Sequence, residues 1–204
     1  MEVAKIIAKA TAKLNSTANW KLYERPYLLH FNQCTQLIEH FAGEKNQYHD
    51  FFHFFEQQTK ALEKAAAANL PIGLIHGDIF PDNTLFQNNK LIGIIDFEFA
   101  STAEVLIEIG VTINGFCFVN NELDMNLLQA FLSSYSKTRK IEPLELNLLH
   151  DYILMGTLLM LRWHLNHIMQ HTSPKSFQRT SYFIQRMKGF QKMKRINYRM
   201  LLQD

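Results

Sequence analysis

Apolar residues recur at helical spacing through most of the chain. Phe51, Phe54, Phe55 and Leu62 return at steps of three, four and seven residues, which places them on one face of a helix. Helices are predicted at residues 4–14, 29–41 (with Gly43 just past the end) and 48–69, and again after about residue 103, with breaks near residues 120, 142 and 173. The pattern therefore predicts a mostly helical protein.

The middle of the chain departs from this period. The apolar pair at 74–75 stands between two glycines and is too short for a buried helix, so we expect a strand. Apolar runs at 84–86 and 91–95 flank an Asn-Asn pair at 88–89, which favours a tight turn. The predicted fold class is α+β, mostly helical, with one small central β-hairpin.

Two prolines mark the starts of the last long helices. Pro143 precedes an apolar run that continues to about residue 169, and proline suits the first turn of a helix because its missing N–H would be unbonded there. Ser173-Pro174 repeats this signal, with Ser173 as the capping residue.

Composition excludes several classes of protein. Apolar residues make up 47% of the 204 residues and charged residues 20%, which argues against a disordered or fibrous chain. No apolar run approaches the ~20 residues of a membrane span, and no secretion signal opens the sequence. The two cysteines, Cys34 and Cys117, fit no disulfide or metal framework. We therefore expect a cytoplasmic protein that does not contact a membrane.

Charge is distributed unevenly. Residues 1–174 hold 13 Lys/Arg and 18 Asp/Glu, a net charge of −5, whereas residues 175–204 hold 8 Lys/Arg and one Asp, a net charge of +7. A basic end can bind nucleic acid, but this one has no separate linker and no recognition pattern of arginine and aromatic residues. A solvated helix that closes an acidic domain is the preferred interpretation, and no nucleic-acid partner is expected.

Three polar residues surround the predicted hairpin. Asp78 follows the first short strand, Asn83 precedes the hairpin, and Asp96 ends it. A hairpin folds Asp96 back beside Asn83, and a carboxylate with an amide oxygen suits Mg²⁺, whose shell phosphate and water would complete. Asp78, close to the metal but not bound to it, would accept a proton from an attacking hydroxyl group. Phosphoryl transfer requires this combination of metal and base.

These residues stand in a recognisable order. The pattern His76-x-Asp78-x4-Asn83 followed by Ile-Asp96-Phe resembles the catalytic loop and metal-binding aspartate of the protein-kinase-like fold. With Gly between His and Asp, it is similar to the aminoglycoside phosphotransferase family, and residues 76–83 and 95–100 most resemble type II homoserine kinases. Further similarity at 113–118 and 161–165 extends the resemblance over roughly residues 70–190.

The resemblance implies a division of the chain and a missing part. Residues 1–70 would form helices before the catalytic loop, 71–100 the loop and metal-binding hairpin, and 101–204 a helical subdomain. Together they would be the C-terminal lobe alone. The N-terminal lobe is expected to be absent, because the chain has no G-x-G-x-x-G and no strand lysine to hold phosphates.

The resemblance also implies roles for individual residues. Asp78 would be the catalytic base, and Asn83 and Asp96 would hold Mg²⁺ against the phosphates of ATP. Glu108 falls where the family usually places an aspartate that braces the catalytic loop. Glu98 falls where homoserine kinases often have Tyr and choline kinases have an acid.

Other polar residues near the motif allow two interpretations each. His76 is expected to be structural, bonded to backbone near the loop, and Asp82 to help fix the loop. Glu98 is either a contact for a cationic group of the substrate or a solvated acid. Arg162 would bind a substrate carboxylate or, slightly favoured, pair with Glu108 or another internal acid. His164, His167 and His171 are expected to be a surface cluster rather than a metal site.

The function predicted is ATP-dependent phosphoryl transfer to the hydroxyl group of a small molecule, an amino acid or amino alcohol. L-Homoserine is the first candidate, and choline or an aminoglycoside is an alternative. A second hypothesis is a non-catalytic remnant or binding module without the lobe that covers the nucleotide. In either case the face that such a lobe would cover is expected to support self-association or completion by another chain.

Overall fold

Three helices precede the first strand. The computed structural model describes residues 1–23, 25, 30–43, 47–170 and 174–202. Within these, α1 spans Glu2–Asn15, α2 Asn32–His40 and α3 His49–Ala66. The helices predicted at 4–14 and 48–69 are confirmed. The predicted start of the second helix at residue 29 lies outside the described residues, but that helix ends before Gly43, whose φ of +82° suits a helix end.

The strands form three short antiparallel pairs among the described residues. They are β1 (Ile72–Ile75), β2 (Thr84–Gln87), β3 (Lys90–Ile94), β4 (Ser101–Glu104), β5 (Phe118–Val119) and β6 (Glu122–Leu123). The predicted hairpin is confirmed as β2–β3. Its turn residues Asn88 and Asn89 have φ of 49° and 60°, and two consecutive positive φ angles are what a two-residue hairpin turn requires.

Three short strands, β4, β5 and β6, were missed by the sequence prediction. Helical periodicity was expected from about residue 103, but residues 101–104 form β4, and helix α4 begins only at Val105. β4 pairs with β1 in the register Gly73↔Ala103. This ladder joins residues far apart in the chain, so no local pattern reveals it.

Four helices complete the fold: α4 (Val105–Phe116), α5 (Met125–Ser136), α6 (Pro143–Gln170) and α7 (Pro174–Gln191). The prolines at 143 and 174 are the first residues of their helices, as predicted, while the capping role of Ser173 lies outside the described residues. The break predicted near residue 120 is the β5–β6 turn, where Asn120 and Asn121 both have positive φ. α4 crosses α6 closely, backbone against backbone at Gly110 and Gly156.

Helix α6 is the centre of the packing. By length and composition it could cross a membrane, in contrast to the sequence prediction that no segment would, but 78% of its most apolar window is buried inside the protein. A buried apolar helix is typical of a protein core. α7 packs along α6 and buries Phe183, Met187 and Phe190, so the basic end of the chain is largely an integral helix rather than a separate arm.

Candidate active site

The loop after β1 carries Asp78, the residue predicted to be catalytic. β1 ends at Ile75, and the chain turns at Gly77, whose φ of +82° favours a residue without a side chain. The turn leaves His76 buried and Asp78 half-buried at the edge of a cleft. The local sequence thus presents one carboxylate just after a strand whose last residue, Ile75, is buried.

Glu108 of α4 holds this loop through its backbone. Its Oε2 accepts hydrogen bonds from the N–H groups of His76 at 2.7 Å and of Gly77 at 2.8 Å. Burial raises the pKa of Glu108 from 4.5 to about 7, although both hydrogen bonds act in the opposite direction. The structure therefore places Glu108 where a brace for the loop would lie.

His76 is held as one neutral tautomer. Its Nε2 lies 2.9 Å from the carbonyl oxygen of Ile95, which can only accept, so Nε2 carries the proton. Nδ1 then accepts a hydrogen bond from the N–H of Asp78 at 3.3 Å. Burial lowers the pKa of His76, in agreement with a neutral ring. His76 thus connects the loop to the end of β3 and has no lone pair left to act as a base.

Asn83 fixes the carboxylate of Asp78. Its Nδ2 donates to Oδ2 and to the backbone carbonyl oxygen of Asp78, both at 2.9 Å. Asn83 ends the 3-10 turn Pro81–Asn83, which leads directly into β2. Because the amide nitrogen makes both bonds, Oδ1 of Asn83 faces no donor among the described residues and can accept a cation.

Asp96 lies beside Asn83 at the open end of the hairpin. The N–H of Ile95 donates to the carbonyl oxygen of Asn83 at 3.0 Å, which continues the β2–β3 pairing by one step. Asp96 follows with φ 66° and ψ 61° and an exposed side chain. A residue other than glycine is uncommon in this left-handed region, and such backbone strain concentrates at functional sites.

The pKa of Asp78 lies well above the ordinary value of an aspartate. It is raised from 3.8 to about 7, chiefly by burial; the hydrogen bond from Asn83 acts to lower it, and the nearby carboxylates of Asp82, Asp96 and Glu98 act to raise it. A carboxylate with a pKa near the working pH is suited to accept a proton.

Asp78 opens into a cleft of about 400 Å³. This volume lies near the lower end of the range of about 300–1,000 Å³ for small-molecule sites. Asp82 and Glu98 line the same cleft, so these two predicted residues lie with Asp78. Apolar side chains provide much of the remaining surface: Phe80, Phe99, Met160, Trp163 and Phe183.

The donor set fits a hard divalent cation. Oδ1 of Asn83 and the carboxylate of Asp96 are oxygen donors of the kind that such a cation prefers, and both lie at the hairpin end next to Asp78. No cluster of three or more His, Cys, Asp or Glu that could hold a metal occurs in the described part of the chain. Two protein ligands completed by water and phosphate are, however, the usual arrangement for Mg²⁺.

Arg162 does not lie with the residues around Asp78. The structure places its guanidinium against α2, where it donates to Oε1 of Gln33 at 2.9 Å, and Arg162 is not among the residues that line the cleft of Asp78. The favoured partner Glu108 is bonded to the catalytic loop instead. The sequence could place Arg162 on a helix but not on a particular face, because α6 is buried almost all round.

Residues of α6 and α7 also line the cleft, and sequence analysis had assigned them no role in a site. His164 and His167 reach it from α6, and Lys175 and Arg179 reach it from α7. The two histidines were expected to form a surface cluster with His171, which lies outside the described residues. The only signal in the sequence was the spacing of Lys175 and Arg179, which places them on one helix face.

These features define a class of protein: a kinase-like lobe with a half-buried carboxylate and a candidate cation site at the ends of short strands. The family model described as the phosphotransferase enzyme family matches residues 7–144, more than half of the chain, and the chain belongs to that family.

Individual known proteins resemble this chain in sequence or in structure. A homoserine kinase of Nitrobacter hamburgensis is 30% identical over 131 residues, which cover 64% of this chain and 36% of that protein. A choline/ethanolamine kinase family protein from Mesorhizobium loti has a similar structure, with a TM-score of 0.68 at 18% identity over 98% of this chain and 64% of the other. An amicoumacin kinase solved with AMP-PNP and Ca²⁺ gives a TM-score of 0.63 at 13% identity, over 92% of this chain and 58% of the other.

The matched segment covers about a third of the length of that homoserine kinase. The structural similarity is at low identity and shows the fold, which is kinase-like and mostly helical.

Proposed function

We propose that the protein transfers the γ-phosphoryl group of ATP to the hydroxyl group of a small molecule, with L-homoserine as the first candidate. The observation that carries the proposal is the hydrogen bond between Asn83 and Asp78, with Asp96 adjacent, at the edge of a cleft. This arrangement brings a base of suitable pKa, Asp78, close to two oxygen donors for a cation, as phosphoryl transfer requires.

Each residue has a defined part in this proposal. Asp78 accepts the proton of the acceptor hydroxyl as its oxygen attacks the γ-phosphorus and the bond to ADP breaks. Asn83 and Asp96 would hold Mg²⁺, which would neutralise charge on the phosphates when bound. Glu108 and His76 keep the loop of Asp78 in place through the backbone.

The choice of homoserine rests on relatives rather than on geometry. Homoserine kinases are the relatives at 30–42% identity, whereas structural neighbours include proteins named for choline, ethanolamine and antibiotics. Choline and aminoglycosides are therefore the alternative acceptors. The test is transfer of labelled phosphate to all three compounds by the wild type and by Asp78→Ala, where equal rates in the two proteins would exclude the catalytic assignment.

A second candidate function is binding without catalysis. Large apolar side chains are exposed on the hairpin and directly after it: Leu85, Ile92, Ile95 and Phe97. Such a patch beside the candidate cation site favours association with another chain or with a second copy. Titration with Mg²⁺-ATP separates the candidates, because micromolar binding supports the enzyme and absent binding supports the binding module. Sedimentation that shows a monomer at all concentrations would argue against the association.

A further inference from the structure

The cleft of Asp78 is lined by two groups of opposite charge. Asp82 and Glu98 join Asp78 from the loops that flank the hairpin, and Lys175 and Arg179 come from the beginning of α7. The proposed chemistry uses only Asp78 of these five residues. Of the others, Glu98, Lys175 and Arg179 are available to recognise the acceptor.

Lys175 and Arg179 lie on the same face of α7. Their separation of four residues is about one helical turn, so their side chains emerge next to each other. Ser176, Thr180 and Phe183 of the same helix are buried, which fixes the rotation of α7 and turns the two cations towards the cleft.

Neither cation has an anionic partner among the described residues. Elsewhere in the described chain, Arg139 pairs with Glu145 and Arg195 with Asp151. Arg186, further along α7, is buried and donates to neutral acceptors that include the carbonyl oxygen of Asn114 at 2.6 Å. Lys175 and Arg179 thus line the cleft with exposed side chains that form no ion pair among the described residues.

His164 lines the same cleft as these two cations. Its ring stacks on Phe183 at 5.6 Å, and its Nδ1 has no hydrogen-bond partner among the described residues. Burial lowers the pKa of His164 to about 4, and the charges of Arg179 and Lys175 act in the same direction. The ring is therefore neutral and adds no charge to this wall of the cleft.

We propose that Lys175 and Arg179 bind the carboxylate of the acceptor while Glu98 binds its ammonium group, so that the cleft selects a hydroxy amino acid. This inference rests on the proposed function and deepens it. Sequence analysis had considered Arg162 for the carboxylate contact, but Arg162 lies outside the cleft. Lys175 and Arg179, to which sequence analysis had assigned no role, take its place.

Such a site would discriminate against amino alcohols. An acceptor without a carboxylate loses its contacts with both cations, so it binds more weakly than one that has the carboxylate. 3-Aminopropan-1-ol is L-homoserine without its carboxylate. It keeps the hydroxyl and ammonium groups, so a comparison of the two compounds measures the contribution of the carboxylate contact alone.

The experiment measures binding and turnover separately. Calorimetry gives the affinity for L-homoserine and for 3-aminopropan-1-ol, and a coupled assay gives kcat/KM for both compounds and KM for ATP. The variants are Lys175→Gln and Arg179→Gln. The control is Lys188→Gln, which removes an exposed lysine of the same helix that lies over the ring of Phe54, outside the cleft.

We expect the wild type to prefer L-homoserine, and each cleft variant to lose homoserine affinity by about 10- to 100-fold, as for a hydrogen bond to a charged group. Affinity for 3-aminopropan-1-ol and the behaviour of Lys188→Gln should stay unchanged. Homoserine binding that depends on Arg179 without any turnover would support the subsite while excluding the proposed function.

Three results would overturn the subsite. The first is wild-type protein that binds no homoserine at millimolar concentration. The second is equal homoserine affinity in the wild type and in both cleft variants. The third is a rise in KM for ATP with unchanged homoserine affinity, which would assign the two cations to the phosphates of the nucleotide.

Discussion

The side-chain amide of Asn83 donates to both the carboxylate and the backbone carbonyl oxygen of Asp78, at 2.9 Å in each case. This pair of bonds fixes the orientation of the carboxylate and leaves the amide oxygen for a cation. One residue thereby joins the base and the cation site of the proposed reaction, and the predictions below test the parts of this arrangement.

Replacement of Asp78 by Asn should remove the proton acceptor and retain the shape of the side chain. We expect kcat to fall by roughly 10²- to 10⁴-fold, the usual contribution of a general base. In the wild type the rate should rise with pH through about 7, because the carboxyl group must lose its proton before it can act. The control is Asp82→Asn, an exposed acid of the same loop; a loss in that variant as large as in Asp78→Asn would contradict the assignment.

Replacement of Asp96 by Asn should weaken cation binding. The affinity for ATP measured in the presence of Mg²⁺ should fall by about 10-fold or more, because one of two protein ligands loses its charge. Chelation of the metal should have the same effect on the wild type and little further effect on the variant. Glu98→Gln is the matched control, since it removes a nearby carboxylate that is not assigned to the metal. Equal Mg²⁺ dependence in wild type and Asp96→Asn would exclude Asp96 as a ligand.

The buried carboxyl group of Glu108 should make stability depend on pH. Its pKa is raised from 4.5 to about 7 in the folded state, so the folded protein holds this proton more tightly than the unfolded chain. The stabilisation is fully present below pH 4.5 and is lost as pH rises through about 7. We expect Tm to fall over this range in the wild type.

Glu108→Gln tests this assignment to Glu108, because glutamine retains an oxygen that accepts the N–H groups of His76 and Gly77 but cannot titrate. The fall in Tm across this range should be smaller in the variant. Parallel pH curves for the two proteins would show that other groups cause the dependence.

The crossing of α4 and α6 should not tolerate a side chain at Gly110. A Cβ there would lie 2.1 Å from the carbonyl oxygen of Tyr152, and the contact is with backbone that cannot rotate away. We expect Gly110→Ala to cost at least ~1–3 kcal/mol of stability, as overpacking does. Gly189→Ala is the control, because its Cβ would meet only Asn121 O at 3.8 Å. That variant should gain about 0.5–1 kcal/mol from helix propensity. Urea denaturation measures both.

The sequence alone predicted the local features of the fold. The period of apolar residues located α1 and α3, and the Asn-Asn pair located the β2–β3 turn, because helix period and positive φ are properties of neighbouring residues. The order of residues 76–83 and 95–100 was sufficient to indicate the family. The hairpin then made it possible to infer that Asn83 and Asp96 lie together.

Only the tertiary structure decided the contacts between distant segments. β4 became a strand by pairing with β1, and Glu108 reached Gly77 across 31 positions of the chain. The faces of α6 and α7 were decided in the same way: Arg162 turned to Gln33, whereas Lys175 turned to the cleft of Asp78. The rotation and the neighbours of a helix depend on how whole elements pack against one another. Residues that are close in sequence do not determine this packing, so the sequence alone could not predict it.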